Sequence, residues 1–419
     1  MPPGIFSALL LVFFLAPPVL AQSTALDSTS TPLPRPRYRS LPEEAIAVPG
    51  MALYIIAERS VFSLGKYLAY GIWNLRLLDR AKALSTTADG RAGVRPLSST
   101  HIGTGARLFY KNLFLNGDAT LISSWGSSTT KSQRHKFQLY WPSGRILPGG
   151  LKFTADYYQR PKSNFYGMGS LSKLIDLVYF HRESLYLRLN YRRRLSPQLV
   201  LNAGLNYHYI DIRRNSSRPP GPLPAPLLPP GLATLAQYVE TSATLNASFV
   251  DVPNSPTHGH RTLLYLGYTQ SVDDNALSHL KLLFITEQFR ELFYRRTLSL
   301  RLGTEWRLAP GANEVPFYEL SSLGGTEYLR GYETGRFRDR GSAFAKVSYK
   351  YPIWKLLEGM LFYETGRTLR HPGDLNRKHW KSAYGGGLRF WVPEGFAFEQ
   401  SVAISDEETR LHFDLSTLF

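Results

Sequence analysis

Residues 238–249, YVETSATLNASF, sort themselves by parity. Val239, Thr241, Ala243, Leu245, Ala247 and Phe249 share one face, and Tyr238, Glu240, Ser242, Thr244, Asn246 and Ser248 share the other. A period of two belongs to a β-strand with one apolar and one wet face. The pattern returns where Leu298, Leu300, Leu302, Thr304, Trp306 and Leu308 alternate with Ser299, Arg301, Gly303, Glu305 and Arg307. It returns again where Leu185, Leu187, Leu189 and Tyr191 alternate with Tyr186, Arg188, Asn190, Arg192 and Arg194. Strands of soluble sheets average ~5–6 residues, whereas a tilted strand needs ~9–11 to cross a bilayer. These runs have the second length, so the apolar face is expected to meet lipid.

Similar segments lie near 101–110, 113–124, 134–141, 150–159, 183–194, 198–212, 238–250, 261–271, 279–290, 297–308, 342–352, 359–367, 383–392, 395–405 and 409–419. Those are fifteen, and single-chain bacterial barrels have even strand numbers. The sixteenth is expected in 51–78 or in 173–182. In the first of these, Val61, Leu64, Leu68, Ile72 and Leu75 have helix-like spacing, so an amphipathic helix competes with a strand there. The proline-rich stretch from Arg218 to Gly231 cannot sit inside a ladder and reads as an extracellular loop. The expected fold is an all-β, transmembrane antiparallel β-barrel of sixteen strands.

Composition agrees and removes alternatives. Of 419 residues none is cysteine, which excludes disulfides and thiolate metal sites. With 43% apolar and 13% aromatic residues the chain is no disordered polymer. After the first twenty positions no apolar run approaches the ~20 residues of a membrane helix. The formal net charge of +17 asks for an acidic partner: nucleic acid, anionic lipid or lipopolysaccharide phosphate.

The apolar block 5–20 followed by Ala21 reads as a secretory signal, residues 1–21, although its start lacks Lys and Arg. Residues 22–50, rich in Ser, Thr and Pro, read as an extended linker. Residues 51–98 are left as an amphipathic helix or a first strand, and 99–419 as the barrel. A secreted chain does not meet cytoplasmic nucleic acid, so that partner is set aside. At the far end, TRLHFDLSTLF puts Leu411, Phe413, Leu415 and Phe419 on one face and stops on an aromatic. A closing strand with Phe419 in the aromatic girdle accounts for this pattern.

Between Leu320 and Gly341 the alternation stops, at SSLGGTEYLRGYETGRFRDRG. Its glycines permit tight turns, and Arg330, Arg336, Arg338 and Arg340 supply charge. A loop of this length inside a compact fold is usually functional. Gly324, Gly325, Leu329, Arg330, Gly331 and Tyr332 resemble the glycine pair and Val-Arg-Gly-Phe/Tyr signature of the BamA/TamA superfamily of outer-membrane barrels. Leu329 stands where that signature has Val. Further elements follow in the family's order. Phe362, Glu364 and Gly366 resemble its aromatic-x-Asp-x-Gly element, with Glu364 one methylene longer than Asp. Lys350, Tyr351, Pro352 and Ile353 resemble the strand after the loop, and Gly387, Leu388, Arg389, Pro393 and Gly395 the penultimate hairpin. Upstream, Asp251, Asn254, Pro256 and Gly259 resemble the Asp-Asn-Pro-Gly hairpin, and Asn164, Phe165, Tyr166, Gly167 and Gly169 the Phe-Tyr-Gly-x-Gly loop.

The resemblance implies that the loop, placed before the last five strands, folds into the lumen and that Arg330 docks on Glu364. It implies that Leu411, Phe413, Leu415 and Phe419 form a C-terminal assembly signal. It also implies a non-enzymatic role in inserting or translocating proteins, or lipids, at the outer membrane. The implied partners are outer-membrane lipid and lipopolysaccharide, unfolded outer-membrane or secreted proteins, and periplasmic accessory proteins. Residues 22–100 hold no clear copy of the polypeptide-transport-associated domain that accompanies such barrels. The alternative reading is a passive channel.

For enzyme chemistry there is no G-x-S-x-G elbow, H-E-x-x-H helix or Walker loop. Asp211, His208 and His412 have no nucleophile placed beside them. His258 and His260 have the spacing of a metal clip but fall in the hairpin turn. No cofactor and no metal are expected.

Overall fold

The computed structural model describes residues 86–419, apart from 100–102, 114–118, 129–130, 143–147, 215–229, 233–234, 254, 274, 355–356, 377, 393–395 and 418–419. The expected signal peptide and the expected linker, the segment 51–78, most of the proline-rich loop and Phe419 lie outside the described residues. In chain order the strands are β1 Ala92–Ser99, β2 Gly103–Lys111, β3 Thr120–Ser127, β4 Gln133–Trp141, β5 Gly150–Phe165, β6 Val178–Arg194, β7 Leu199–Arg214, β8 Leu235–Val250 and β9 Gly259–Ser271. They continue with β10 His279–Phe293, β11 Arg296–Leu308, two short strands β12 Ser321–Leu323 and β13 Phe337–Asp339, then β14 Gly341–Trp354, β15 Leu357–Leu369, β16 Lys381–Val392, β17 Phe396–Ile404 and β18 Thr409–Thr417.

Sixteen of these form one sheet in which each strand pairs antiparallel with its neighbour in the chain, β14 following β11 directly. The small β12–β13 hairpin stands apart.

Burial along the strands is inverted relative to a soluble protein. Leu298, Leu300 and Leu302 are exposed while Thr297 and Ser299 are buried, and Val239 is exposed while Tyr238 and Glu240 are buried. The same holds where exposed Leu361 and Tyr363 flank buried Phe362, itself followed by buried Glu364. A sheet that shows its leucines to the surroundings and hides glutamate and lysine is stable only with hydrocarbon outside and a polar interior.

The segment 309–340 shows how the sheet is curved. It hydrogen-bonds to the end of β5 and the residue after it, touches β8, and reaches β15 and the β17–β18 turn. One segment can touch strands so far apart in the sheet order only if the sheet wraps around it as a barrel wall. Connections at one end are long, as 166–177, 309–340 and 370–380, while at the other end β10–β11 turns through 294–295 and β6–β7 through 195–198. In outer-membrane barrels the long loops are extracellular and the short turns periplasmic.

The sixteenth strand is β1, Ala92–Ser99, outside both 51–78 and 173–182 but at the end of the wider segment 51–98 left open for a helix or a first strand. Its sequence, AGVRPLSS, lacks clean alternation and carries Pro96, which removes a ladder donor; such a residue is tolerated at the terminal strand of a sheet and hides the strand from a pattern reading. The other expected stretch, 173–182, holds a 3-10 turn at Leu174–Asp176 and then the start of β6. Strands β5 and β6 also run past their expected limits at 159 and 183. Their register shifts between Arg160 and Ser163, where Pro161 sits, so the bulge breaks the parity that would have revealed the extension.

Leu300→Arg, near the middle of β11, tests the lipid face. It is expected to cost ~2–4 kcal/mol of folding free energy in a bilayer, read by urea titration in lipid vesicles. An unchanged midpoint would mean that Leu300 does not meet lipid.

Candidate functional site

The 309–340 segment begins and ends on adjacent strands, so its course is a long excursion into the barrel. The β12–β13 ladder pairs Ser321 with Asp339 and Leu323 with Phe337, forming a stem. Beyond the stem the chain turns on Gly324 and Gly325. Gly324 has φ +115°, and a Cβ there would stand 2.0 Å from the Glu333 carbonyl oxygen. Gly325 N–H donates to the Tyr332 carbonyl at 2.9 Å, Leu329 N–H to the Gly325 carbonyl at 3.2 Å, and Tyr332 N–H to the Leu329 carbonyl at 3.2 Å. The tip is therefore a closed, hydrogen-bonded knot. Gly324→Ala is expected to open it, seen as new protease cleavage within 309–340 of a chain whose strands remain folded. Resistance equal to the parent would mean that the turn tolerates a side chain.

Apolar packing carries the knot to the wall. Leu323, Leu329, Tyr332 and Phe337 are buried against Phe344 of β14 and Ala383 of β16. Gly331 lies so close to the wall that a Cβ would meet the Cβ atoms of Ser405 at 2.7 Å and Ala383 at 2.8 Å. Gly366 of β15 faces Leu323 and Leu329.

This approach buries Arg330. Its backbone N–H donates to Glu364 Oε2 at 2.7 Å, and its Nε lies 3.4 Å from Glu364 Oε1. A terminal nitrogen of the same guanidinium stands 2.9 Å from Glu399 Oε1 of β17, and the other donates to Ser401 Oγ at 3.4 Å. The guanidinium carbon is 4.6 Å from the centre of the Phe362 ring, a cation–π arrangement. Glu364, with 0% of its side chain exposed, also meets Lys346 Nζ of β14 at 3.1 Å. The Arg330 carbonyl oxygen and His412 Nε2 of β18 are 2.6 Å apart. One residue of the loop thus touches strands β15, β17 and β18.

A second anchor is Arg336, which sequence reading named only as loop charge. Its Nε and one terminal nitrogen each lie 2.8 Å from a different oxygen of Glu407, in the β17–β18 turn. The remaining donors reach Ser172 Oγ at 2.9 Å and the Ser172 carbonyl at 2.7 Å, in the β5–β6 loop. Tyr166 and Phe337 rings lie 4.6 Å from its guanidinium carbon. A bidentate, charge-assisted pair between aromatic faces is among the stronger contacts available to an arginine. Glu333, three residues earlier, accepts from Asn164 Nδ2 at 2.6 Å and from the Tyr166 hydroxyl.

The loop's first half is fixed by a third group. Val315, Phe317, Tyr318 and Leu320 are buried with Phe165, Phe180, Ile210, Ile212 and Tyr238, filling the extracellular end of β5–β8. Below them Lys281 Nζ lies 2.6 Å from Glu240 Oε2 and 2.9 Å from Glu319 Oε2. Burial alone would raise the Glu319 carboxyl pKa, but the Lys281 ammonium wins and holds it below the ordinary range.

The structure thus gathers Gly324, Gly325, Leu329, Arg330, Gly331 and Tyr332 against Phe362, Glu364 and Gly366, with Tyr166 and Gly169 nearby. It does not bring Asp251, Pro256 and Gly259 there. They lie in the β8–β9 turn at the opposite end, where Asp251 accepts from Thr257 N–H at 2.9 Å and His258 N–H at 3.1 Å. The spaced histidines part company: His260 stacks on Phe249 at 4.9 Å, whereas His258 Nδ1 is 3.8 Å from Glu291 Oε2. Leu411 and Phe413 are exposed on the outer face of β18, Leu415 pairs in register with Phe398, and Phe419 lies outside the described residues. Lys346, Glu399, Glu407 and Ser172 were not singled out in the sequence: Lys346 faces Glu364 only through the β14–β15 register, and the other three acquire their partners only when the loop docks.

Comparison with known proteins follows the same lines. The structure is similar to BamA from Haemophilus ducreyi lacking POTRA domains 1-3, with TM-score 0.58 and 14% identity over 78% of this chain and 69% of that one. It is similar to CdiB from Escherichia coli, with TM-score 0.50 and 12% identity, over 75% of this chain and 59% of that one. At such identities the likeness is one of fold. No curated protein sequence matches. The Omp85 superfamily domain matches residues 115–419, from before β3 to the end of the chain, which makes this a barrel of the bacterial outer membrane. With that match covering most of its length, around a barrel whose long internal loop is docked on its last strands, the chain belongs to the Omp85 superfamily.

Proposed function

We propose that the protein is a non-enzymatic outer-membrane factor that assists the insertion or translocation of proteins, or of lipids, with the 309–340 loop as its working part. The observation that carries this reading is the reach of Arg330, from Glu364 on β15 to Glu399 on β17 and the His412 ring on β18. A loop tied to the terminal strands couples the contents of the lumen to the place where the sheet ends, which is where an incoming strand or lipid has access to the membrane. Glu364, Phe362 and Gly366 serve as the docking strand, and Leu411, Phe413, Leu415 and Phe419 as the assembly signal of the barrel itself. Unfolded outer-membrane or secreted proteins, lipopolysaccharide and periplasmic accessory proteins are the partners this reading requires. Residues 1–21 are proposed as the signal peptide and 22–50 as a linker ahead of the barrel.

The test is a conditional depletion, followed by quantitation of folded outer-membrane proteins and lipopolysaccharide. Restoration by the parent and not by Arg330→Ala, at equal barrel abundance, is the expected result. An unchanged outer-membrane composition on depletion would remove the reading in favour of a passive channel. That second reading has one observation of its own, since the inner face of β2–β6 carries solvent-exposed charge beside the docked loop.

A further inference from the structure

The interior walls differ in how their charges are balanced. On the side gripped by the loop, many carboxylates are met by cations: Glu240 and Glu319 by Lys281, Glu305 by Arg307 at 2.6 Å, Glu364 by Arg330 and Lys346, and Glu399 by Arg330, while Arg261, Arg301, Lys350 and Arg389 form a second basic group that shares Glu287 and Glu358. In strands β2–β6 the balance is absent. Those strands hold two carboxylates, Asp156 and Glu183. Glu183 belongs to the outward parity, bonded to the Tyr157 hydroxyl at 2.8 Å, so Asp156 alone faces inward.

Around Asp156 the inward parity gathers cations. Arg134 holds it in a bidentate pair at 2.7 and 2.6 Å, and Arg188 stands 3.8 Å away. Lys136 lies directly across the β4–β5 ladder from Asp156, within Coulombic range of Arg134, Lys152 and Arg188. In the same row Ser124 of β3 pairs with Lys136, and Arg107 of β2 pairs with Ser124. One carboxylate thus serves a belt of several cations, and among the described ion pairs Lys136, Lys152 and Arg107 have no carboxylate partner. These side chains are not sealed by the loop: Arg107 and Lys152 are exposed, Lys136 is half-buried, and Arg134 and Arg188 keep about a third of their side chains open, 29% and 35%.

We propose that this belt lines a water-filled, anion-selective lane running past the docked loop along β2–β6, suited to phosphate-bearing solutes above simple halides. A sixteen-stranded barrel is wide enough for an aqueous interior. Fixed charges on one side of a passage no wider than the Debye length, ~8–10 Å at ordinary ionic strength, set the sign of the ions that pass it, as charged rings do in other pores. Phosphate exceeds chloride because Arg107 and Arg188 offer forked donors that match its oxygens, while the Arg134 fork is held by Asp156. The inference does not depend on an assembly role; a barrel with no client protein would still have this wall.

The purified full chain in planar bilayers, under a KCl gradient, reads the proposal directly. The reversal potential is expected to have the sign set by chloride, and tripolyphosphate added to one side is expected to reduce the current. Lys136→Glu with Lys152→Glu, placed on the exposed inner face, should shift the reversal potential toward or past zero and abolish the tripolyphosphate block. The milder pair Lys136→Gln and Lys152→Gln should move it in the same direction by less. A parent reversal potential of the cation sign, absence of conductance, or charge-reversed and neutral variants indistinguishable from the parent would each overturn the lane. Because the depletion experiment above reads outer-membrane composition and this one reads current, either can fail alone.

Discussion

Glu364→Ala is expected to lower the unfolding midpoint of the barrel in detergent more than removal of either cation that faces it. The carboxylate is 0% exposed and takes the Arg330 backbone N–H, the Arg330 side chain and Lys346. Removing it leaves two shielded cations facing each other, with Glu399 the remaining carboxylate within 2.9 Å of Arg330. Breaking a truly buried pair costs ~3–5 kcal/mol, and water in the lumen reduces that figure. Arg330→Ala should cost less, because Glu364 keeps Lys346 at 3.1 Å. The double variant should lose less than the sum of the singles, since the second removal leaves nothing newly unpaired. Strict additivity of the midpoints would show that Arg330 and Glu364 do not act as partners, and would take away the docking assigned to the loop.

Arg336→Ala is expected to release the loop from the extracellular side. Arg336 is 1% exposed and is the common partner of Glu407 in the β17–β18 turn and Ser172 in the β5–β6 loop. These two segments lie on strands far apart in the sheet, and their shared tie is lost with the guanidinium. Glu407 retains some solvent access, 12% of its side chain, so it rehydrates and the global midpoint should move less than for Glu364→Ala. The change should be local. Backbone amides in 166–177 and 405–408 should exchange faster with deuterium, and conductance should rise as the loop undocks. Arg336→Lys should recover part of the protection only, because an ammonium cannot span both oxygens of Glu407 and also reach Ser172. Unchanged exchange in both segments would show that the apolar cluster around Phe337 holds the loop without Arg336.

Much of the architecture was legible before any coordinates, for a physical reason. A strand between lipid and water must alternate along its whole length, so parity in 238–249 or 298–308 states both the secondary structure and which face is outside. Where a strand leaves the bilayer that constraint relaxes, and the signal goes with it. The upper parts of β5 and β6 and the proline-bearing β1 were therefore unreadable, though the count of sixteen was not. The loop tip was legible because Gly324 must hold φ +115° beside a carbonyl and Gly331 must pass against Ala383, demands that restrict composition locally.

What only the tertiary structure decided is which charges meet. Arg336 with Glu407 and Ser172, Arg330 with Glu399, and Lys281 with both Glu240 and Glu319 join residues whose separation along the chain carries no pattern. Equally, Arg134, Lys136, Lys152 and Arg188 are unremarkable strand residues in the sequence, and become a one-sided belt only through the register that sets Lys136 across from Asp156. Alternation reports the face a side chain occupies because hydration acts on each residue separately. Ion pairing depends on position across the barrel, which strand register and the path of the loop determine together.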